Sequence, residues 1–380
     1  MMRTMSRLAL AAGLIAALAA CSQQPVLSGM AANAFDRQTL LSGELLDLPL
    51  PQAAEAELLA VNDDMRAFLA AHVPPGASSK QRVEAILAAI LDDGLRLDYN
   101  LFQTLTAEEA FYSRQGNCMS FTSLFVALAR ESGLRVRFQE VEVPPSWESQ
   151  GDTWMYNKHI NAVVDLHGSS IMIDFAREPF DSDFRRRLLD DDEALARYHN
   201  NVGVHHMTAG QTARAFTHFS TALQLSPRTG YFWTNLGSLY RRADLELAAE
   251  SAYLTAIEVS RDAAGMSNLA RLYRHQGRDA AATYYEEKVE LFRRKNPYYL
   301  HNLATEAYAA GDYELAVQRA RSAIRRDRSQ HEFHRLLGLA YVRLGKVERA
   351  SDAFESARER AVDELQRGTY NRKLSLLANL

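Results

Sequence analysis

A repeat of about 34 residues fills the second half of the chain and restricts its possible folds more than any other feature. After residue 190, small residues recur at steps of 34, 33, 34 and 34, each directly after an aliphatic residue. Four of the five units have a glycine seven positions later, and all five have an alanine twelve positions later. Small residues let two helices cross closely, so each unit predicts a helical hairpin that packs against its neighbours. The small residues are Gly203, Gly237, Ala270, Ala304 and Gly338.

This spacing resembles the tetratricopeptide repeat (TPR). The resemblance implies an all-α solenoid of five units over residues 191–364, followed by a capping helix over residues 365–380. In that family the first helix of each unit lines a concave groove, so we expect a protein or peptide partner in the groove. Two positions before the first four small residues stand asparagines, whose carboxamides either hold a peptide backbone or bridge neighbouring helices. They are Asn201, Asn235, Asn268 and Asn302.

The N-terminus has the pattern of an export signal. Arg3 and Arg7 precede an apolar stretch, residues 8–20, which is too short to span a bilayer. The stretch ends in Leu-Ala-Ala-Cys, which resembles the lipobox of bacterial lipoproteins. The resemblance implies a signal peptide over residues 1–20, a lipidated Cys21 that attaches the chain to a membrane, and a tether over residues 21–51. An ordinary cleaved signal with an accidental cysteine is the alternative.

The residue after the lipobox cysteine indicates the membrane in which a bacterial lipoprotein is anchored. Ser22 stands there instead of aspartate. In a Gram-negative host, the sorting rule of the lipoprotein family then points to the outer membrane, with the protein facing the periplasm.

Net charge gives no reason to expect a nucleic-acid partner. The chain is 24% charged and has a formal net charge of -4 at pH 7. Nucleic-acid-binding domains usually carry a clearly basic surface. We therefore expect no nucleic acid.

Residues 52–190 predict an α+β domain. Apolar residues at helical spacing run to about residue 95, and a further apolar helix covers residues 118–132. Alternating or continuous apolar runs at residues 134–139, 159–166 and 171–175 then predict three strands. Helices followed by neighbouring strands indicate an antiparallel sheet with helices segregated from it.

The chain has two cysteines, so a lipidated Cys21 leaves Cys118 without an intramolecular disulfide. Cys118 stands in the first turn of an apolar helix, where unpaired N–H groups and the helix dipole favour the thiolate. A cysteine nucleophile needs an imidazole base, and the base needs an orienting group. His159 and Asp174 lie on successive predicted strands and supply both.

Residues 80–180 resemble the transglutaminase-like superfamily, which has a papain-like cysteine fold. The matching features are Gly116-Asn117-Cys118 at a helix start, the helix end at residues 127–133, a following strand, and then His159 and Asp174. The resemblance implies that Cys118 is the nucleophile, His159 the general base and acid, and Asp174 the residue that orients it. Where the family often has His-Ala-Trp, this chain has His-Ile-Asn at residues 159–161. The resemblance therefore does not define the substrate-side wall, although it still implies the triad.

Other interpretations of these residues remain at this point. In one interpretation, Cys118 is an inert cysteine of the core. In another, the three residues form a complete triad that has no catalytic activity. His167, in the predicted turn, is a second candidate base, and Asp165 a second candidate orienting residue. No paired metal-ligand spacing and no glycine-rich phosphate loop occur, so we expect neither a metal nor a cofactor.

The sequence therefore predicts a lipid-anchored envelope enzyme that cleaves amide bonds of proteins or peptides through an acyl-enzyme, with hydrolysis favoured over transfer. The repeats would bind the substrate or a partner protein. The competing prediction is a non-catalytic assembly lipoprotein whose repeats carry the function, with a role in polysaccharide export as a third.

Overall fold

The computed structural model describes residues 34–141, 148–150, 153–155, 159–166, 168–175, 186–361 and 364–378. The predicted signal peptide, Cys21 and the candidate base His167 lie outside the described residues. The described chain forms an α+β domain followed by an all-α stretch, which confirms the predicted fold class. Across the described ranges, no helix combines the length and the apolar character that a membrane span requires.

The helices of the α+β domain begin at side-chain caps. After a short helix α1 (Arg37–Ser42), the domain contains α2 (Asp63–His72), α3 (Ser79–Ala88), α4 (Ala107–Ser113) and α5 (Cys118–Glu131). Ser78 and Thr106 form capping boxes at α3 and α4, and Asn62 and Asn117 cap α2 and α5. Each cap satisfies backbone N–H groups that have no partner within the helix, so the sequence sets where the helices start.

One four-stranded antiparallel sheet forms the other layer of the domain. Its strands are β3 (Arg135–Val141), β6 (His159–Leu166), β7 (Ser169–Ile173) and β8 (Arg186–Leu189), in the order β7-β6-β3-β8. Two small pairs stand apart: β1 (Asp98–Tyr99) with β2 (Gln115–Gly116), and β4 (Glu148–Gln150) with β5 (Thr153–Met155). The three predicted strands are present, whereas β8 and the small pairs were not predicted.

Helix α5 packs on this sheet and forms the centre of the first core. Phe125 on α5, Phe138 on β3 and Ala162 on β6 are all 0% exposed and belong to one apolar cluster. The hydroxyl of Thr122 also donates to the carbonyl oxygen of Ile160 at 3.2 Å, which joins α5 to β6. The buried length of α5 fixes where its first residue, Cys118, lies relative to β6.

Ten helices in five antiparallel pairs follow the sheet, and a last helix closes the stretch. The last helix lies where the capping helix was expected. The ten helices are α6 (Asp191–Thr208), α7 (Thr212–Leu225), α8 (Gly230–Arg242), α9 (Glu246–Ser260), α10 (Ala263–His275), α11 (Asp279–Lys295), α12 (Pro297–Ala309), α13 (Tyr313–Arg326), α14 (His331–Arg343) and α15 (Val347–Glu359), and the last is α16 (Glu364–Leu377).

The small residues of the repeat lie under aromatic rings of the paired helix. A Cβ at Gly203 would come within 2.7 Å of the Phe219 ring, and a Cβ at Gly237 within 2.7 Å of the Tyr253 ring. These distances are shorter than carbon atoms tolerate, so the close crossing of the two helices requires glycine there.

Residues 34–51, the described part of the segment that was predicted to be a tether, pack against the rest of the chain. Helix α1 packs on the solenoid, where Leu40 is 0% exposed and its carbonyl oxygen accepts a hydrogen bond from the Tyr240 hydroxyl at 2.5 Å. Arg37 forms an ion pair with Glu258 at 3.2 Å. Further along, the Ala54 amide donates to Thr221 Oγ1 at 2.9 Å. Residues 34–51 therefore belong to the folded body.

A buried ion pair joins the sheet to the solenoid. Glu140 on β3 and Arg197 on α6 are 4% and 3% exposed, and Arg197 Nε donates to Glu140 Oε1 at 2.9 Å. The Tyr231 hydroxyl on α8 donates to the same oxygen at 3.3 Å, and Arg187 on β8 lies 3.8 Å from Glu140 Oε2. The carboxylate of β3 is thus held by two solenoid helices and one strand.

Removing one member of this pair should be costly, because the other charge would remain buried. We expect Arg197→Leu to lower the free energy of unfolding by about 3–5 kcal/mol. Urea unfolding followed by circular dichroism measures the change. Arg66→Ala, which removes an exposed partner of Glu131, is the control and should leave stability nearly unchanged. Equal effects of the two variants would contradict this account of the junction.

Candidate active site

Cys118 is the first residue of α5, and the local sequence fixes it there. Asn117 caps the helix by accepting a hydrogen bond from the Ser120 amide at 3.2 Å. A Cβ at Gly116 would lie 2.5 Å from Ser120 Cβ, so glycine lets the chain enter the helix closely. The amides of Cys118 and Met119 stand in the first turn, where a helix offers no backbone acceptor.

A loop at residues 100–105 is fastened to this helix start. The Asn117 side-chain amide donates to Thr104 Oγ1 at 2.7 Å, and the Asn117 backbone amide donates to the Gln103 carbonyl oxygen at 3.0 Å. Two apolar side chains of the loop face solvent, with Leu101 42% and Phe102 62% exposed. The loop therefore places an exposed apolar surface beside the start of α5.

Strand β6 supplies His159, and Asp174 follows directly after β7. His159 Nε2 and Asp174 Oδ1 are 2.7 Å apart. The neighbouring register pairs Ala162 with Ile173, so the next pair in the antiparallel ladder is Asn161 with Asp174. The hairpin brings together two residues that are fifteen positions apart, as the sequence predicted.

Asn161 is a member of this cluster that the sequence analysis missed. Its Nδ2 donates to Asp174 Oδ2 at 2.9 Å, so each oxygen of the carboxylate is held by a different residue of β6. Residues 159 and 161 lie on the same side of a strand because side chains alternate. The departure from His-Ala-Trp at residues 159–161 thus places an amide where the family often has an aromatic ring.

Phe175 anchors the end of β7 on α5. Its ring centroid lies 6.2 Å from that of Phe121 and 6.1 Å from that of Phe125. Phe175 is 8% exposed. Because Asp174 is the preceding residue, the packing of Phe175 holds the carboxylate over the start of the helix that carries Cys118.

The imidazole of His159 is held in its charged form. Burial alone lowers the pKa of His159, but hydrogen bonds to Asp174 and to the Cys118 side chain, together with their charges, outweigh burial and raise the pKa to about 9. Asp174 occupies Nε2, so Nδ1 is the nitrogen available to the thiol. An imidazolium beside a thiol favours the thiolate, which is the nucleophilic form of cysteine.

The structure places the alternative orienting residue, Asp165, away from His159. Asp165 is paired with Arg137 at 3.2 Å near the far end of β6, so Asp174 is the carboxylate at His159. Cys118 is only partly buried and is a free thiol, which distinguishes it from an inert core cysteine. Within the described ranges, no three His, Cys, Asp or Glu side chains are grouped so as to hold a metal ion.

The four asparagines of the repeats differ in their surroundings. Asn235 Nδ2 donates to Asn200 Oδ1 of the preceding unit at 2.8 Å, and Asn268 is 6% exposed, with Nδ2 3.5 Å from Ser238 Oγ. Asn201 is partly buried and Asn302 is exposed. Asn235 and Asn268 thus bridge neighbouring units, the Asn201 side-chain oxygen accepts a hydrogen bond from Asn200 Nδ2 at 3.4 Å, and Asn302 is the exposed one of the four.

The charge on His159 should appear in the reactivity of Cys118. An ordinary thiol, with a pKa of about 8.5, alkylates about tenfold faster per pH unit between about pH 6 and pH 8. We expect Cys118 to react with iodoacetamide at a nearly constant rate over this range, and His159→Ala to restore the steep dependence. Mass spectrometry of the tryptic peptide 115–130 separates Cys118 from Cys21.

Asp165→Asn provides the matched control, because it removes a β6 carboxylate that does not contact His159. It should leave the profile flat. A steep profile in the unmodified protein, unchanged by His159→Ala, would show that no thiolate–imidazolium pair forms.

Comparison with known proteins identifies both parts of the chain. The model of the transglutaminase-like superfamily matches residues 69–168, which include Cys118 and His159, and a tetratricopeptide repeat model matches residues 301–364. No curated protein matches the chain.

Several solved structures resemble it distantly. The Cut9–Hcn1 hetero-tetramer of the APC/C is 18% identical over 48% of this chain and 36% of that chain, with a TM-score of 0.25. PilF of Pseudomonas aeruginosa is 13% identical, covering 50% and 87% with a TM-score of 0.27, and the P58(IPK) TPR domain is 19% identical, covering 48% and 54% with a TM-score of 0.24. The chain spans about a third of the Cut9–Hcn1 chain that it matches.

By its two family matches, the chain has a transglutaminase-like domain followed by tetratricopeptide repeats.

Proposed function

We propose that the protein is a cysteine enzyme that acts on amide bonds of protein or peptide substrates. The observation that carries this proposal is the buried His159, which is hydrogen-bonded to Asp174 and to the Cys118 thiol at a helix start. A nucleophile, a base and an orienting carboxylate in this order are what acyl transfer through a cysteine requires.

In the first half of the reaction, Cys118 Sγ attacks the carbonyl carbon of the amide. The amides of Cys118 and Met119 donate to the oxygen that becomes negative. The C–N bond then breaks, His159 Nδ1 gives its proton to the leaving amine, and a thioester remains on Cys118. Asp174 and Asn161 keep the imidazole in position throughout.

In the second half, His159 takes a proton from the attacking molecule as the thioester carbon–sulfur bond breaks. Attack by water gives hydrolysis, and attack by an amine gives transfer. Hydrolysis is favoured in the periplasm, where water is abundant and where we place the protein. The exposed loop with Leu101 and Phe102 supplies an apolar wall beside the helix start.

The solenoid would bind the substrate or a partner protein, since TPR domains mediate protein–protein interaction. The buried contact of Glu140 with Arg197 supports a fixed arrangement of solenoid and sheet. A segment bound to the repeats would then stand at a constant position relative to Cys118.

An ester probe tests the chemistry without knowledge of the natural substrate. With the p-nitrophenyl ester of an N-acetylated dipeptide, we expect a burst of p-nitrophenolate about equal to the amount of protein, because the thioester forms faster than it hydrolyses. The acyl group should be found on the tryptic peptide 115–130. Cys118→Ala should abolish the burst, and Asp165→Asn should retain it.

Added putrescine then measures how the thioester divides between water and an amine. Mostly free acid supports a hydrolase, and mostly amide product identifies a transferase. Absence of both the burst and the acyl group would overturn the enzyme proposal and favour the competing function, a non-catalytic assembly lipoprotein.

We further propose that the protein is anchored to the bacterial outer membrane through a lipid on Cys21, facing the periplasm. The support is the apolar stretch of residues 8–20 that ends in Leu-Ala-Ala-Cys, followed by Ser22.

Metabolic labelling with an alkyne fatty acid tests the anchor. We expect label on the protein in expressing cells, and its loss in Cys21→Ser. Cys118→Ser changes the only other cysteine and should keep the label. Equal labelling of Cys21→Ser and the unchanged protein would contradict lipidation at Cys21.

A further inference from the structure

A cavity of about 640 Å³ lies between α13 and α15, the second helices of the fourth and fifth repeats. Four arginines line it: Arg321 and Arg325 on α13, Arg328 in the following loop, and Arg349 on α15. The one carboxylate that lines it is Asp352. The cavity is therefore strongly basic, although the whole chain has a net charge of -4.

The guanidinium groups of these four arginines make few contacts with other polar groups of the described residues. Arg325 donates to Ser322 Oγ at 2.6 Å. Those of Arg321, Arg328 and Arg349 have no hydrogen-bond or ion-pair partner among the residues that the structure describes. Like charges that face one cavity repel one another, and an anion placed between them would relieve this repulsion.

The loop that carries Arg328 is held in place. Its carbonyl oxygen accepts a hydrogen bond from Arg360 Nε at 2.6 Å and lies 3.2 Å from His334 Nε2. His334 is buried. The cavity wall is thus formed before any ligand arrives, which lowers the entropic cost of binding.

The cavity has an apolar floor beneath its basic rim. Leu337 and Tyr341 on α14 and Ile324 on α13 form the floor and are buried or half-buried, whereas the four arginines are exposed. A ligand that fits must therefore present both acidic and apolar groups.

The spacing of the rim matches an extended peptide. Arg321 and Arg325 are one helical turn apart, which is about 6 Å along α13. Alternate side chains of an extended strand are about 6.6 Å apart and point to the same side. Acidic residues at alternate positions would reach the two arginines while the residues between them point toward the floor.

We propose that this cavity binds an extended segment of a partner protein in which acidic and apolar residues alternate. The site is distinct from the groove formed by the first helices. At the groove position of the fifth unit stands Leu336, which does not line the cavity. The proposal does not depend on the chemistry of Cys118.

A pair of synthetic peptides tests the proposal on the full chain in non-ionic detergent. We expect fluorescein-labelled Glu-Leu-Glu-Leu-Glu to bind, with fluorescence anisotropy as the readout. Gln-Leu-Gln-Leu-Gln should bind at least about tenfold more weakly, and added salt should weaken the acidic peptide. The double variant Arg321→Gln/Arg325→Gln should lose about tenfold or more in affinity for the acidic peptide.

Arg214→Gln/Arg228→Gln removes two exposed arginines that do not line the cavity, with the same change in net charge. This control should bind the acidic peptide as the unchanged protein does. Equal loss in both double variants would mean attraction by overall charge and would overturn the site. Equal binding of the two peptides, no binding of either, or binding of tripolyphosphate without the acidic peptide would overturn it as well.

Discussion

The packing of α5 along the four-stranded sheet is the constraint on which the first domain depends. The helix is buried over almost its whole length, so the apolar contacts of Phe125 with the sheet fix its position. Its first residue then has one possible location, next to the start of β6. A thiol placed by a loop would lack this precision, because a loop has few buried contacts to hold it.

The same packing determines the state of the histidine. Phe175, just after β7, packs against α5, and this contact also positions the preceding residue, Asp174. The carboxylate is held by His159 and Asn161, and it keeps the buried imidazole charged against the effect of burial. Core formation and the placement of the charged imidazole therefore come from one set of contacts.

Local pattern was sufficient to predict much of this arrangement. The repeat spacing predicted five helical hairpins, and the aromatic rings over Gly203 and Gly237 explain why small residues recur there. The positions of His159 and Asp174 on successive strands predicted that they lie near each other, because a hairpin brings its two sides together. Cys118 joins them through the packing of α5 on the sheet. The role of Asn161 depends on the register of β6 with β7, which sequence alone does not fix.

Other features escaped prediction because they depend on distant partners. Strand β8 contains the exposed Arg186 and Arg187 and pairs with β3 through its backbone. Its side chains therefore do not show the alternation of apolar and polar residues that predicts a strand. Helix α1 is short and buries only Leu40, against a tyrosine 200 residues away. The periodic pattern of a short sequence segment cannot predict such a contact.

The docking of α1 on the solenoid sets a mechanical limit on an anchored molecule. A free tether over residues 22–51 would reach about 100 Å when fully extended, whereas residues 22–33 reach only about 40 Å. With the proposed lipid on Cys21, the solenoid can sample only a shallow layer next to the bilayer. Partners of the repeats would then be bound within that layer, whether they are attached to the membrane or diffuse into the layer from solution.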